Sequence, residues 1–166
     1  MRLREVGLSR ERLREYALPG VALLLVIAGI WLSWDTSSRR DAERAGQDAM
    51  QAAGDSIVAM LSYQPDTAEA SLNDARTRLT GKFLDDYTQL IQTVVVPGAK
   101  QDRITAAAKV PAISVVSADE DHAVVLAFVD QTLAEGTKPA TLTTSSVRVS
   151  LEKVDGHWLI AAFDPI

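Results

Sequence analysis

Eighteen consecutive residues, Ala17 to Trp34, carry no charged side chain: ALPGVALLLVIAGIWLSW. As a helix rising ~1.5 Å per residue this stretch is about 27 Å long, close to the ~30 Å hydrocarbon core of a bilayer. Leu23, Leu24, Leu25, Ile27 and Ile30 supply bulk that suits acyl chains. Trp31 and Trp34 lie about one helical turn apart at the C-terminal end, where an amphipathic ring fits the headgroup level. Pro19 falls in the first turn, where its missing N–H costs little. A buried helix of a soluble protein is generally shorter and holds more polar groups. A cleaved secretory signal ends in small residues, whereas this stretch leaves through the bulky Trp31-Leu32-Ser33-Trp34. The segment therefore reads as an uncleaved single-pass anchor.

Orientation follows from the flanks. Arg2, Arg4, Arg10, Arg12 and Arg14 precede the stretch, while Arg39, Arg40 and Arg44 are set back from its far end among Asp35, Asp41 and Glu43. The positive-inside rule then places the N-terminus in the cytoplasm and the long C-terminal part outside the plasma membrane. Residues 1–16 read as a cytoplasmic tail, 17–34 as the anchor, 35–56 as a stalk helix and 57–166 as an exterior domain. The whole chain carries 17 Lys and Arg against 22 Asp and Glu. The tail is basic by two charges, so everything after the anchor is acidic by seven. That balance argues against nucleic acid and anionic lipid surfaces as partners. The chain has no cysteine, which excludes thiol catalysis, thiolate metal sites and disulfide stapling. The exterior domain must rest on its apolar core.

Helical spacing opens the exterior part. Ala42, Ala45, Ala49, Ala53, Ile57 and Met60 recur at intervals of three and four, with Asp41, Arg44, Asp48 and Asp55 on the other side. The early positions are small, and two readings stand open: a stalk that enters the domain only near Ile57, or a helix packed in the domain throughout. Pro65 ends this helix. Asp66-Thr67-Ala68-Glu69 has the pattern of a capping box starting a second helix that runs to about Leu79. Gly81 suits its C-cap. Phe83, Leu84, Tyr87, Leu90, Ile91, Val94 and Val95 mark a third helix whose best part Pro97-Gly98 closes, with a further turn open over Lys100–Ile104.

From Ile104 the period changes to two. Val110–Ser117 alternates around Pro111, whose missing donor predicts an edge strand or a bulge. His122–Thr132 is apolar on both faces for most of its length, as in a central strand. Ser145–Val154 alternates again, and Asp155-Gly156 predicts a two-residue type I′ hairpin. That turn sets Leu151 against Ile160 and Val149 against Ala162. Val147, Val149, Leu151, Trp158 and Ile160 then form the core face, with Leu159 and Phe163 opposite. Helices followed by antiparallel strands predict an α+β fold, the helices packed on one face of a curved sheet.

Several segments together resemble one family. Leu61-Ser-Tyr63, Leu79-Thr-Gly-Lys-Phe83 with Tyr87, Ala123–Leu126 with Phe128-Val-Asp-Gln-Thr132, Val147-Arg-Val149 and Val154-Asp-Gly-His-Trp-Leu159 ending in Phe163–Ile166 are similar, in order and spacing, to the mammalian cell entry (Mce)-associated membrane proteins of actinobacteria. The resemblance implies an exterior domain of VirB8-like and NTF2-like fold. It also implies a non-enzymatic accessory subunit of an Mce-type lipid importer, with transporter subunits and other Mce-associated proteins as partners and a homo-oligomer as an option. NTF2-like enzymes pair an Asp or Tyr with a second polar group inside a cone. Tyr87 or Asp130 with His157 would be the candidates here, and Leu126, Phe128, Leu159 and Phe163 the lining of a lipid-binding cone. No Walker loop, dinucleotide fingerprint, zinc-protease or nucleophile-elbow motif occurs. Asp119, Asp121 and His122 read as a solvated turn rather than a metal site. The expectation is no catalytic residue, no metal and no cofactor.

Overall fold

The structure, a computed structural model, describes residues 41–166. The expected tail, the anchor and the first residues of the stalk lie outside them. Among the described residues no helix is long and apolar enough to cross a membrane.

Residues 41–61 form helix α1. Ala45, Ala49, Ala53, Ile57 and Met60 are all buried in the main core cluster. Of the two readings of this helix, the packed one describes residues 41–61. The small side chains are what let the backbone lie close to the sheet. A Cβ on Gly46 would sit 3.3 Å from Val115 Cγ2 and 3.4 Å from Ala118 Cβ. A stripe of alanines gains little by burial per residue, but it permits an approach that larger residues would block.

Helix α2 spans Ala68–Ala75, continued by a 3-10 turn at Arg76–Arg78 that ends at buried Leu79. The expected capping box does not form. The N-cap is Thr67, with no side-chain cap bond. Asp66 instead accepts from Arg103 at 2.9 Å and Glu69 from Lys100 at 2.6 Å. Two cations from later in the chain outcompete the local amides, and the Lys100 ammonium holds the Glu69 carboxyl below its usual range. Helix α3 spans Gly81–Leu90, with Gly81 at φ +57 opening it rather than capping α2. A π-helical turn at Ile91–Val95 leads into α4, Val96–Gln101. The sequence pattern has the strongest part of this helix closed by Pro97-Gly98 with a further turn open beyond, and the helix does continue to Gln101. Pro97 falls at the start of α4, where its lost donor is tolerated.

Four strands follow: β1 Ile104–Ala118, β2 His122–Glu135, β3 Thr141–Val154 and β4 His157–Pro165. They make one antiparallel sheet in the order β1-β2-β3-β4. The fold is thus α+β, with helices against one sheet face. Pro111 lies on edge strand β1, inside a register shift between Lys109 and Ala112. Asp155 and Gly156 both have positive φ, 50° and 80°, as a type I′ turn requires. At the β1–β2 turn, Asp119 Oδ1 accepts from the amides of His122 at 2.7 Å and Asp121 at 3.0 Å. Those bonds hold its carboxyl below the usual range, so this carboxylate is a turn cap.

The core face is Ala123, Val125, Ala127 and Val129 of β2, Val147, Val149 and Leu151 of β3, and Trp158 and Ile160 of β4. One register expectation fails. Leu151 does pair with Ile160, but a bulge follows, so Val149 pairs with Phe163 and not with Ala162. The extra residue turns Phe163 to the core side, where its ring stacks on Phe83 of α3 at 6.2 Å between centroids. Both sheet edges are partly covered. Tyr63 exchanges two 2.9 Å backbone bonds with Ala106 beside β1, and the Thr80 amide donates to Ile160 O at 2.9 Å beside β4.

Candidate functional site

The structure does not gather the six expected pocket residues into one cavity. Tyr87 is buried, and its hydroxyl donates to Met60 O at 3.1 Å, tying α3 to the end of α1. Burial, with a smaller contribution from Tyr63, pushes its hydroxyl far above the ordinary tyrosine range. Phe163 joins Phe83 and Tyr87 in an aromatic cluster on the core side. Leu126, Phe128 and Asp130 lie on the opposite sheet face, where Phe128 is 44% exposed. Asp130 accepts from the Thr144 hydroxyl at 2.7 Å. Strand register also separates Asp130 from His157: His157 pairs at Val154 and Asp130 at Thr144. Ten residues of β3 put them on the order of 30 Å apart along the sheet. The proposed acid–base pair therefore does not meet.

Leu159 does line a cavity. An open groove of about 450 Å³ lies between one flank of α1 and the segments Thr77–Arg78 and His157–Leu159. Asp48, Gln51 and Asp55 of α1 make one side, and Arg78, His157 and Trp158 contribute to the other. Trp158 is only 8% exposed, and its ring lies under the Lys153 ammonium at 5.5 Å. Two donors here, Trp158 Nε1 and Arg78 Nε, are buried without an acceptor among the described residues. Sequence reasoning read Trp158 as core, which it is, but missed the groove. Its residues come from three segments with no common spacing, and the only local hint was a pair of aspartates seven apart on one helix face.

A second groove, of about 380 Å³, follows the close contact of α1 with β1. Ala42, Gly46, Met50, Val115 and Ala118 line it, with Glu43 and Gln47 beside them. Its surface is mainly apolar, in contrast to the first.

No family model matches the chain. Outer membrane protein Rv1973 of Mycobacterium tuberculosis is 49% identical over 149 residues, covering 90% of this chain and 93% of the relative. A second protein of that organism, the uncharacterized protein Rv1362c, is 39% identical over 87% of this chain and 68% of its own length. Among solved structures, an IcmL-like type IV secretion system protein from Legionella pneumophila superposes with a TM-score of 0.61 at 10% identity, covering 70% of this chain and 90% of that one. Agrobacterium tumefaciens VirB8 gives 0.56 at 14%, covering 70% and 88%. At such identities the structural likeness speaks for the fold alone, which is VirB8-like. The sequence likeness reaches further, and by it the chain belongs to the family of the mycobacterial Outer membrane protein Rv1973.

Proposed function

We propose that the chain is a non-enzymatic accessory subunit of the cell envelope, anchored by Ala17–Trp34, whose exterior domain docks onto a multiprotein assembly. The assembly we favour is an Mce-type lipid importer. The observation that carries the reading is kinship along nearly the whole chain with a relative named for a membrane, on a sequence that places an uncharged stretch before the folded domain. The fold adds support, since type IV secretion system proteins build on it. Groups that could do chemistry are spent on structure: Tyr87 on Met60, Asp130 on Thr144, Asp119 on its own turn.

The relative's name points to an outer membrane, whereas an 18-residue apolar helix suits the plasma membrane. Membrane fractionation with protease protection decides between the two. The expected outcome is a plasma-membrane fraction with residues 41–166 accessible from outside. The docking role is tested by isolating the intact protein in mild detergent and identifying what accompanies it. Recovery of importer subunits is expected; an intact anchored protein that brings none of them ends the proposal.

A further inference from the structure

We propose that the outer edge of β3 over residues 141–145 pairs with the same stretch of a second copy of this chain, antiparallel and about a two-fold axis at Thr143. The inference goes beyond the docking role above, since it concerns the contact of the chain with itself.

β3 is longer than its neighbour on one side. It pairs with β2 along residues 141–152, whereas its pairing with β4 begins only at Val147. Ile166 reaches one residue further, its amide donating to Ser146 O at 3.0 Å. Backbone groups of an antiparallel strand point alternately to its two neighbours. Ser146 points to the β4 side, so Leu142 and Thr144 also present their N–H and C=O on that side, where β3 has no neighbouring strand among the described residues. The other edges carry devices that keep strands from pairing further. β1 has Pro111, a register shift and the bonds to Tyr63; β4 has the bond from Thr80 and ends at Pro165. Residues 141–145, Thr-Leu-Thr-Thr-Ser, hold no charge, no proline and no bulge. All five are exposed, and Leu142 is 66% exposed.

Register, length and charge select a second copy as the partner. With Thr143 opposite Thr143, Leu142 of each copy faces Thr144 of the other, and the outward backbone groups of these residues close into a symmetric ladder. The open edge stops at Ser146, whose carbonyl Ile166 already occupies, and at Thr141, where β3 begins. A longer strand from an unrelated partner would run into Ile166, whereas the stretch on a second copy is bounded in the same way. The loop before Thr141 leaves the strand line clear, because the Gly136 amide donates at 3.1 Å to Arg103 O, just before β1 and on the far side of β2. The chain beyond the apolar stretch is acidic, and this uncharged edge is where two such copies meet without like charges in contact. The facing side chains are threonine on threonine and leucine on threonine, cross-strand pairs that add to the backbone bonds.

So short a ladder makes a weak pair, and the test therefore traps it covalently. The chain has no cysteine, so one introduced thiol reports on one position. Residues opposed as Thr143 is to its counterpart lie about 4.5 Å apart at Cα, within the span of a disulfide. In intact cells producing the full chain, mild oxidation with copper phenanthroline is expected to convert Thr143→Cys to a disulfide-linked dimer. Lys138→Cys, exposed in the adjoining loop, is expected to stay monomeric. Leu142→Cys and Thr144→Cys should each stay monomeric alone and link to each other when produced together. Added to Thr143→Cys, Leu142→Lys with Thr144→Lys sets like charges face to face and abolishes the dimer. Leu142→Glu with Thr144→Lys sets opposite charges there and restores it, which separates loss of pairing from loss of folding. A Thr143→Cys chain that dimerises no more than Lys138→Cys, or a dimer untouched by the two lysines, overturns the proposal. Its failure is separable from that of the docking role. If Thr143→Cys stays monomeric while the parent protein brings down importer subunits, the strand pairing falls and the scaffold reading stands. If the parent protein brings down none while the cysteine dimers form in the pattern described, the scaffold reading falls and the pairing stands.

Discussion

Tyr87 shows how a polar side chain is absorbed by packing. Its ring belongs to the core cluster beside Phe83, and its hydroxyl donates to Met60 O across 27 residues of sequence. Tyr87→Phe keeps the ring and deletes one buried hydrogen bond, so it is expected to cost about 1 kcal/mol in chemical denaturation. The alkaline limb of stability carries a second signature. Burial raises the folded-state pKa above the ordinary value of 10.0. Below that value both states keep the proton and the shift contributes nothing to the pH dependence. Above it the unfolded chain ionises first, so stability falls as pH rises. Tyr87→Phe should flatten that fall, leaving the smaller one from partly buried Tyr63, whose pKa burial also raises. An alkaline limb identical in the two proteins would show that Tyr87 is not the group that resists ionisation.

At the scale of elements, α1 is shaped by what its glycines face. Gly54 has nothing within 4 Å of an added Cβ, and Gly46 meets Val115 and Ala118 at once. Gly54→Ala therefore gains helix propensity without a steric cost, about 0.5–1 kcal/mol of stability. Gly46→Leu forces α1 off β1 and is expected to cost about 1–3 kcal/mol, with both changes read as shifts in thermal midpoint. Equal effects at the two sites would mean that the helix does not seat on β1 as described. Such elements were legible in the chain to the extent that their causes are local. Asp155-Gly156 needs only its own backbone to make a type I′ turn, and the alternation of Val147, Val149 and Leu151 needs only the pleat. The misses have distant causes. The bulge that turns Phe163 inward goes with a stack on Phe83, eighty residues earlier, and the capping box lost its carboxylates to Lys100 and Arg103. The groove was illegible for the same reason, because α1, the 3-10 turn and β4 meet only once the sheet has formed.

For the molecule as a whole, the question is what α1, the helix that follows the apolar stretch in sequence, does for the domain. A stalk transmits position and could be removed without harm to what it carries. A packed helix is part of the core it covers. Ala49, Ala53 and Ile57 are fully buried, and they belong to the same cluster as Val125, Val149 and Leu151 of the sheet. Removing residues 41–56 would expose much of that sheet face to water at ~25 cal/mol per Å² of apolar surface. It would also strip one side from the groove that holds Asp48 and Asp55. A chain starting at residue 41 is therefore expected to unfold in one cooperative transition, while one starting at residue 57 should lack a cooperative transition and expose apolar surface to a hydrophobic dye. If the shorter chain instead unfolds cooperatively with an unchanged midpoint, α1 is a dispensable spacer. If it fails as expected, residues 41–56 are part of the core of the domain, and α1 and the sheet fold as one cooperative unit with no free hinge at 41–56.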